Sequence, residues 1–205
     1  MFNKIIQNTC KPEGFGGKMI LKMMNTGHAK LADWGLSHLE FKSTDHVLDI
    51  GCGGGANIAS MLDICLDGFV AGIDYSKESV KYSRKKNAEK LGKNCEIKFG
   101  NVNNIPYDDE SFDIVTAFET IYFWPDLRKN FTEVLRVLKP KGHFMICCEE
   151  GDPLNDQWSD KIEGMKVYGI IQLANLLKAA GFKVVKSDEK PNSKWICIVG
   201  EKKIE

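Results

Sequence analysis

The stretch Val47–Ala59, VLDIGCGGGANIA, runs from an apolar string straight into four glycines and out into a helical pattern. Val47, Leu48 and Ile50 around a single acid read as a buried strand. Gly51 and Gly53 let the backbone turn tightly and approach a ligand, because glycine alone enters the left-handed region without steric cost. A helix beginning at Ala56 leaves its first-turn amides without partners inside the helix, free to bind polar or anionic groups. The spacing fits two patterns. Gly51-x-Gly53-x-x-Ala56 satisfies the dinucleotide fingerprint GxGxxG/A, and Asp49-x-Gly51-x-Gly53-x-Gly55 satisfies DxGxGxG.

Outward from this loop, short apolar runs alternate with helical patterns. His46–Ile50, Phe69–Asp74, Cys95–Phe99, Phe112–Phe118 and His143–Glu149 read as buried strands. Between and after them, Ala56–Leu66, Arg128–Leu138 and a stretch through Ile170, Leu173, Leu177 and Ala180 carry apolar residues at helical spacing. Lys139-Pro140-Lys141-Gly142 is expected to stop the second of these, and Gly181 the third. Such alternation specifies an α/β fold: a doubly wound, mostly parallel seven-stranded sheet with helices on both faces. The last two strands, Phe182–Lys186 and Trp195–Val199, are joined only by the polar Ser187–Lys194, so they are expected to pair antiparallel at one edge.

Residues 1–45 precede the first strand and read as a helical cap on the same domain, with helical stretches at Lys18–Asn25 and Ala29–Leu39. Within the core of residues 46–205, Gly151–Tyr168 breaks the alternation as an insertion, read as a lid over the pocket together with the cap. Phe15, in the glycine-bearing Lys11–Lys18, is a candidate aromatic contact there; that stretch lacks the glycine and hydroxyl spacing of a phosphate loop.

The chain has 205 residues with 28 Lys+Arg and 28 Asp+Glu, a formal charge of zero. Zero charge argues against a module that binds chiefly by phosphate neutralisation. The balance hides two patches: eight Lys/Arg against three acids over Lys77–Lys98, and six acids against Lys161 alone over Glu149–Glu163. The acidic stretch is expected to disfavour polyanionic acceptors. Seven scattered cysteines form no CxxC pair, so reduced, buried thiols are expected and no metal. The first residues lack the apolar core of a signal peptide, and no apolar run approaches the ~20 residues that span a bilayer; the expected location is the cytoplasm.

Four motifs in order resemble the class I S-adenosylmethionine-dependent methyltransferases over roughly residues 45–200. DIGCGGG is similar to the family's first motif. Gly72-Ile73-Asp74-Tyr75-Ser76 ends the second strand with an acid some 20 positions past the glycines. Gly100–Asp113 resembles GDAxxLPFxDxSFD, and Glu133–Gly142 resembles ExxRVLKPGG. Within the family the pattern is most like the small-molecule branch that includes ubiquinone and menaquinone methyltransferases. Two departures stand out. Asn101 replaces the acid that meets the adenine amino group, and Lys141 replaces a turn glycine.

The resemblance implies S-adenosylmethionine as cofactor, leaving as S-adenosylhomocysteine, and a small-molecule acceptor. It implies that Asp49, Gly51, Cys52 and Gly53 meet the methionine moiety, Asp74 the ribose, Tyr75 the adenine face, and Asn101 with Val102 the adenine edge. Cys52 is expected to contribute its backbone rather than a nucleophilic thiol. Phe118 and Glu119 line the floor near the methyl group. Glu119, Tyr122, His28 and Glu149 are candidate general bases, needed only for a protonated or carbon-acid acceptor. Ser76 is expected to cap the following helix. His46 and His143 read as structural, and His38 as a solvent-facing helix residue. The (N/D)PPY-type motif of amino-directed nucleic-acid methyltransferases is missing, so no nucleic-acid acceptor is expected; a homodimer is allowed. Two other readings remain: an NAD-dependent oxidoreductase using the same loop, and a non-catalytic S-adenosylmethionine-binding regulator.

Overall fold

The computed structural model describes residues 28–155, 157 and 159–204. The expected Lys18–Asn25 helix, the Lys11–Lys18 stretch with Phe15, Cys10 and Asp156 lie outside them. The elements run α1 (Ala29–Leu36), β1 (His46–Ile50), α2 (Ala56–Ile64), β2 (Phe69–Asp74), α3 (Lys77–Lys86), β3 (Cys95–Phe99), β4 (Phe112–Phe118), a 3₁₀ turn (Ile121–Phe123), α4 (Leu127–Val137), β5 (Leu138–Cys148), α5 (Ile170–Ala180), β6 (Phe182–Glu189) and β7 (Ile196–Lys202).

They form one seven-stranded sheet in the order β3-β2-β1-β4-β5-β7-β6. The first five strands are parallel. As expected, the last two pair antiparallel at an edge, with β7 also antiparallel to β5. The chain winds outward from β1 in one direction through β2 and β3 and in the other through β4 and β5. A crevice therefore opens beyond the carboxyl ends of β1 and β4, the place where such sheets bind ligands.

Both faces of the sheet are covered, which is why its central strands are almost wholly apolar. One apolar cluster gathers Leu48, Phe131, Phe144, Leu173 and Phe182 under α4 and α5. The other gathers Val47, Ile58, Met61, Val70 and Ile97 under α2 and α1. Cys147 falls in one cluster and its neighbour Cys148 in the other, as alternation along a strand requires. The cap seats directly on the sheet at Gly35, where a Cβ would lie 2.7 Å from Phe118 Cε1 and 2.8 Å from Cys147 Sγ.

Helix ends follow local chemistry. Ser76 Oγ accepts from Ser79 N at the start of α3, as its position predicts, and Asp126 Oδ1 accepts from Lys129 N at the start of α4. Gly181 closes α5 at φ 112°.

Two expectations need correction. Lys139–Gly142 does not separate α4 from a strand beginning at His143: β5 starts at Leu138 and pairs with Phe112, and the register then jumps to Ile114 opposite His143. The segment is thus a bulge inside the strand, with Lys141 at φ 64° and Lys139 Nζ bound to Asp113 Oδ2 at 2.7 Å. His38 does not face solvent from a helix. It lies in the turn after α1, its side chain only 5% exposed, between the Trp34 carbonyl (Nδ1, 2.8 Å) and Asp188 Oδ2 (Nε2, 3.0 Å).

Candidate active site

The crevice at the switch between β1 and β4 holds a cavity of about 240 Å³. One half of its wall is Ile50–Gly54, Ala56, Asn57, Ile73–Tyr75, Ser79 and Gly100–Val102; the other is His28, Leu31, Ala32 and Phe118–Thr120 with Phe123–Pro125. Of the thirteen residues expected from the sequence to meet the cofactor or act as a base, the wall includes all but Asp49, Tyr122 and Glu149.

The glycine loop is fastened from below. Gly51 N and Cys52 N both donate to the Ile73 carbonyl, at 2.8 and 3.0 Å, and Asn87 Nδ2 donates to the Gly55 carbonyl at 3.1 Å. Gly51, Gly53 and Gly55 all adopt positive φ, for different reasons. A Cβ on Gly51 would lie 2.3 Å from Thr120 Cγ2, and one on Gly55 would lie 2.2 Å from Ser83 Oγ. At Gly53 a Cβ would find nothing nearer than the Gly51 carbonyl oxygen at 3.9 Å, so this glycine leaves open the space a ligand needs. Gly55 occupies the N-cap position of α2 with no side-chain cap, and Ala56 and Asn57 of the first turn face the cavity.

Asp74 is buried at the end of β2 with its carboxylate on the cavity wall. Oδ2 accepts from Gly53 N at 2.9 Å and Oδ1 from Ser76 N at 2.7 Å. Burial raises its pKa while those two amides and the Ser79 hydroxyl oppose the rise. A carboxylate has about four acceptor positions, so one remains for a ligand hydroxyl beside these bonds. Tyr75 beside it is 37% exposed. Asn101 Oδ1 accepts from Asn103 N at 3.3 Å, likewise keeping a second acceptor site. Cys52 is buried, and its thiol is pushed well above its ordinary range by burial and then by Asp74 and Asp49. It therefore carries no thiolate.

Asp49 sits beneath the loop rather than on the wall, 2% exposed, accepting from Thr116 Oγ1 at 2.7 Å. Burial pushes its carboxyl up to about 7; the Thr116 hydrogen bond opposes this and the Asp74 charge adds to it. The folded chain thus retains a proton that the unfolded chain releases near pH 4. This contribution to stability is full below about pH 4 and is lost as pH rises through about 7, on the order of a few kcal/mol. Asp49→Asn keeps the Thr116 acceptor and should flatten that fall. Urea unfolding of both proteins from about pH 5 to pH 8 checks it; parallel pH slopes would contradict it.

At the other end of the cavity, Glu119 follows β4 with φ 60°. Its Oε1 accepts from Glu149 N and lies 3.2 Å from the Tyr122 hydroxyl. Burial pushes its carboxyl up to about 8, with the Glu149 and Glu150 charges adding to the effect and the hydrogen bonds from Glu149 N and Tyr122 opposing it. Tyr122 lies behind Glu119, 2% exposed, its hydroxyl accepting from Glu150 N at 3.0 Å. Burial raises its pKa far above the ordinary range. His28, just before α1, places Nε2 3.6 Å from Glu149 Oε2; burial lowers its pKa and Glu149 partly offsets that. No described residue of 151–168 lines the cavity. The acidic stretch is instead partly wired to itself: Glu150 accepts from Asp152 N at 3.0 Å and from Asn155 Nδ2, and Lys194 lies 3.4 Å from Asp152 Oδ2.

Thr120, Leu31 and Ala32 line the cavity without any motif that marks them in the sequence. The Thr120 methyl fills the space that Gly51 leaves, and its hydroxyl donates to the Ile50 carbonyl at 3.3 Å. Nothing in the local sequence signals such a contact.

A family model described as a methyltransferase domain matches residues 41–193. The O-methyltransferase cnsE of Penicillium expansum is 30% identical over 167 residues, 78% of this chain and 60% of that protein. A demethylmenaquinone methyltransferase of Lactobacillus johnsonii is 35% identical over 119 residues, 57% of this chain and 48% of its own length. The chain thus spans about half the length of the curated relatives it matches. The solved structure of a SAM-dependent methyltransferase from Aquifex aeolicus has the same fold, with a TM-score of 0.76 at 22% identity over 88% of this chain and 96% of that one. A glycine loop braced by the acid at the end of β2 accords with that match, and the chain belongs to the class I S-adenosylmethionine-dependent methyltransferases.

Proposed function

We propose that this chain transfers a methyl group from S-adenosylmethionine to a small, largely apolar acceptor. The observation that carries the reading is one continuous cavity that joins a polar half built on the glycine loop to a half in which Leu31, Ala32, Phe118, Phe123 and Trp124 stand beside His28 and Glu119. The polar half fits the cofactor: the space over Gly53 is open, Ala56 and Asn57 at the start of α2 line it, and the buried Asp74 carboxylate that ties Gly53 N is on the wall.

When bound, S-adenosylmethionine supplies an electrophilic sulfonium methyl and leaves as S-adenosylhomocysteine. In this reading Asp74 holds the ribose hydroxyls and Tyr75 the adenine face, with Asn101 and Val102 at the adenine edge. Gly51, Cys52 and Gly53 present the loop backbone to the methionine end, and Asp49, hydrogen-bonded to Thr116, braces the loop from beneath. Phe118, Phe123 and Trp124 exclude water and offer aromatic faces favourable to a cation. Alignment of acceptor and methyl group at near-attack distance supplies the acceleration. His28 and Glu119 stand on the acceptor side, and Tyr122, behind the wall, positions Glu119. The demethylmenaquinone methyltransferases among the relatives support a small-molecule acceptor.

We place the chain in the cytoplasm. Among the described residues the cysteines are all free and buried, and Cys147 stands opposite Cys197 across β5 and β7 without a disulfide, which suits a reducing compartment. No helix among the described residues is long and apolar enough to cross a membrane.

Methyl-labelled S-adenosylmethionine incubated with the full chain and a panel of apolar phenols, quinols and alcohols tests the reading. Label should appear in at least one small acceptor and in none of the added RNA or DNA. Label in nucleic acid would overturn it, and tight cofactor binding without transfer to any acceptor would favour the regulator.

A further inference from the structure

We propose that His28, Glu119 and Glu149 form a site for a borderline divalent cation of the Mn²⁺ or Zn²⁺ type at the acceptor end of the cavity. Three distant points of the chain converge here: the residue before α1, the residue after β4 and the residue after β5. One ligand atom from each lies within 4.8 Å of the other two, and His28 Nε2 is 3.6 Å from Glu149 Oε2. Donors bound 2.0–2.2 Å from one shared ion stand about 3–4 Å apart, so about 1–2 Å of side-chain closure completes the set.

The surroundings favour a cation independently of the spacing. Among the described residues neither Glu119 nor Glu149 is ion-paired with a lysine or arginine, and His28 is the only basic partner of Glu149. The hydrogen bonds to Glu119, from Glu149 N and the Tyr122 hydroxyl, both fall on Oε1. They fix the carboxylate and leave its other oxygen for an ion. His28 and Glu119 are also on the cavity wall, so an ion held by them borders the cavity that Leu31, Ala32 and Phe118 line. One imidazole with two carboxylates suits Mn²⁺, Fe²⁺ or Zn²⁺, whereas Mg²⁺ and Ca²⁺ prefer oxygen donors alone.

The site also names the acceptor class, and this part rests on the proposed methyl transfer. An ion here would take the oxygen of a phenol or alcohol as a further ligand and lower its pKa. The hydroxyl proton passes to water. An oxygen lone pair forms the new bond to the methyl carbon, while the electrons of the breaking carbon–sulfur bond remain on sulfur.

The test uses the full chain, stripped with a chelator and dialysed. Mn²⁺ binding is read from the loss of its free electron-paramagnetic-resonance signal, and Zn²⁺ binding by calorimetry, with S-adenosylhomocysteine binding measured alongside. One ion should bind per chain. Glu149→Gln and His28→Ala should each weaken it at least tenfold, with Glu149→Gln leaving S-adenosylhomocysteine affinity unchanged. Glu149 is half exposed, so its variant is expected to fold, which circular dichroism verifies. No binding of either ion at millimolar concentration, or equal binding by parent and variants, would overturn the site. If the ion fails and S-adenosylhomocysteine binds, only this inference falls; if the ion binds and S-adenosylhomocysteine does not, the methyltransferase reading falls instead.

Discussion

Replacing Asp74 with alanine should weaken S-adenosylhomocysteine binding by about 2–4 kcal/mol, roughly thirtyfold to a thousandfold. The carboxylate has two tasks. It is the buried charged acceptor on the wall of the polar half, and it ties Gly53 N and Ser76 N through its two oxygens. Alanine removes the charge-assisted bonds proposed for the ribose and frees the centre of the loop that shapes the site. Asp74→Asn separates the two effects, because its single carbonyl can replace only one of the two acceptors. Its affinity should lie between those of the parent and the alanine variant. Calorimetric titration of all three proteins decides, and an alanine variant that binds like the parent would remove Asp74 from the ribose role.

The second large effect distinguishes glycines that shape the loop from the one that admits a ligand. Gly51→Ala should cost about 2–5 kcal/mol of folding stability. Roughly 1–2 kcal/mol comes from a side chain held at positive φ, and about 1–3 kcal/mol from overpacking against the Thr120 methyl 2.3 Å away. Gly53→Ala bears only the backbone part, since its methyl would meet no protein atom closer than 3.9 Å. That methyl enters the cavity, so this variant should remain folded yet bind S-adenosylhomocysteine weakly. Removing the opposing methyl with Thr120→Ser should restore part of the stability lost in Gly51→Ala and leave Gly53→Ala unaffected, a coupling expected of groups in contact. Urea unfolding and calorimetry read the two quantities separately. Equal destabilisation at both glycines would contradict the loop geometry.

Much of this site is legible in the residues around Val47–Ala59 because its constraints are local. A strand that must stop, a backbone that must turn with positive φ and a helix that must begin are each marked by residue type, as are Asp74 at a strand end and Ser76 at a helix start. The antiparallel edge pair is equally legible, since Ser187–Lys194 is too short and polar for a covering helix. What the sequence conceals is set by contacts between distant segments. β5 begins at Leu138 because Phe112 pairs with it, although Lys139–Gly142 carries every local signal of a turn. His38 is enclosed by Trp34 and by Asp188, 150 positions away. Tyr122 belongs to an aromatic run that places it near the cavity, but only the fold turns its hydroxyl towards Glu119 and Glu150. The acidic stretch after β5 reads as a pocket rim by position, yet Glu150 turns inward and Lys194 meets it.

The central claim is that the polar half of the cavity is built for S-adenosylmethionine and its product. Calorimetric titration of the full chain with S-adenosylhomocysteine, and separately with NAD, tests it most directly. The account predicts one S-adenosylhomocysteine bound per chain, largely lost in Asp74→Ala, with no saturable NAD binding. Saturable NAD binding without S-adenosylhomocysteine binding would contradict it.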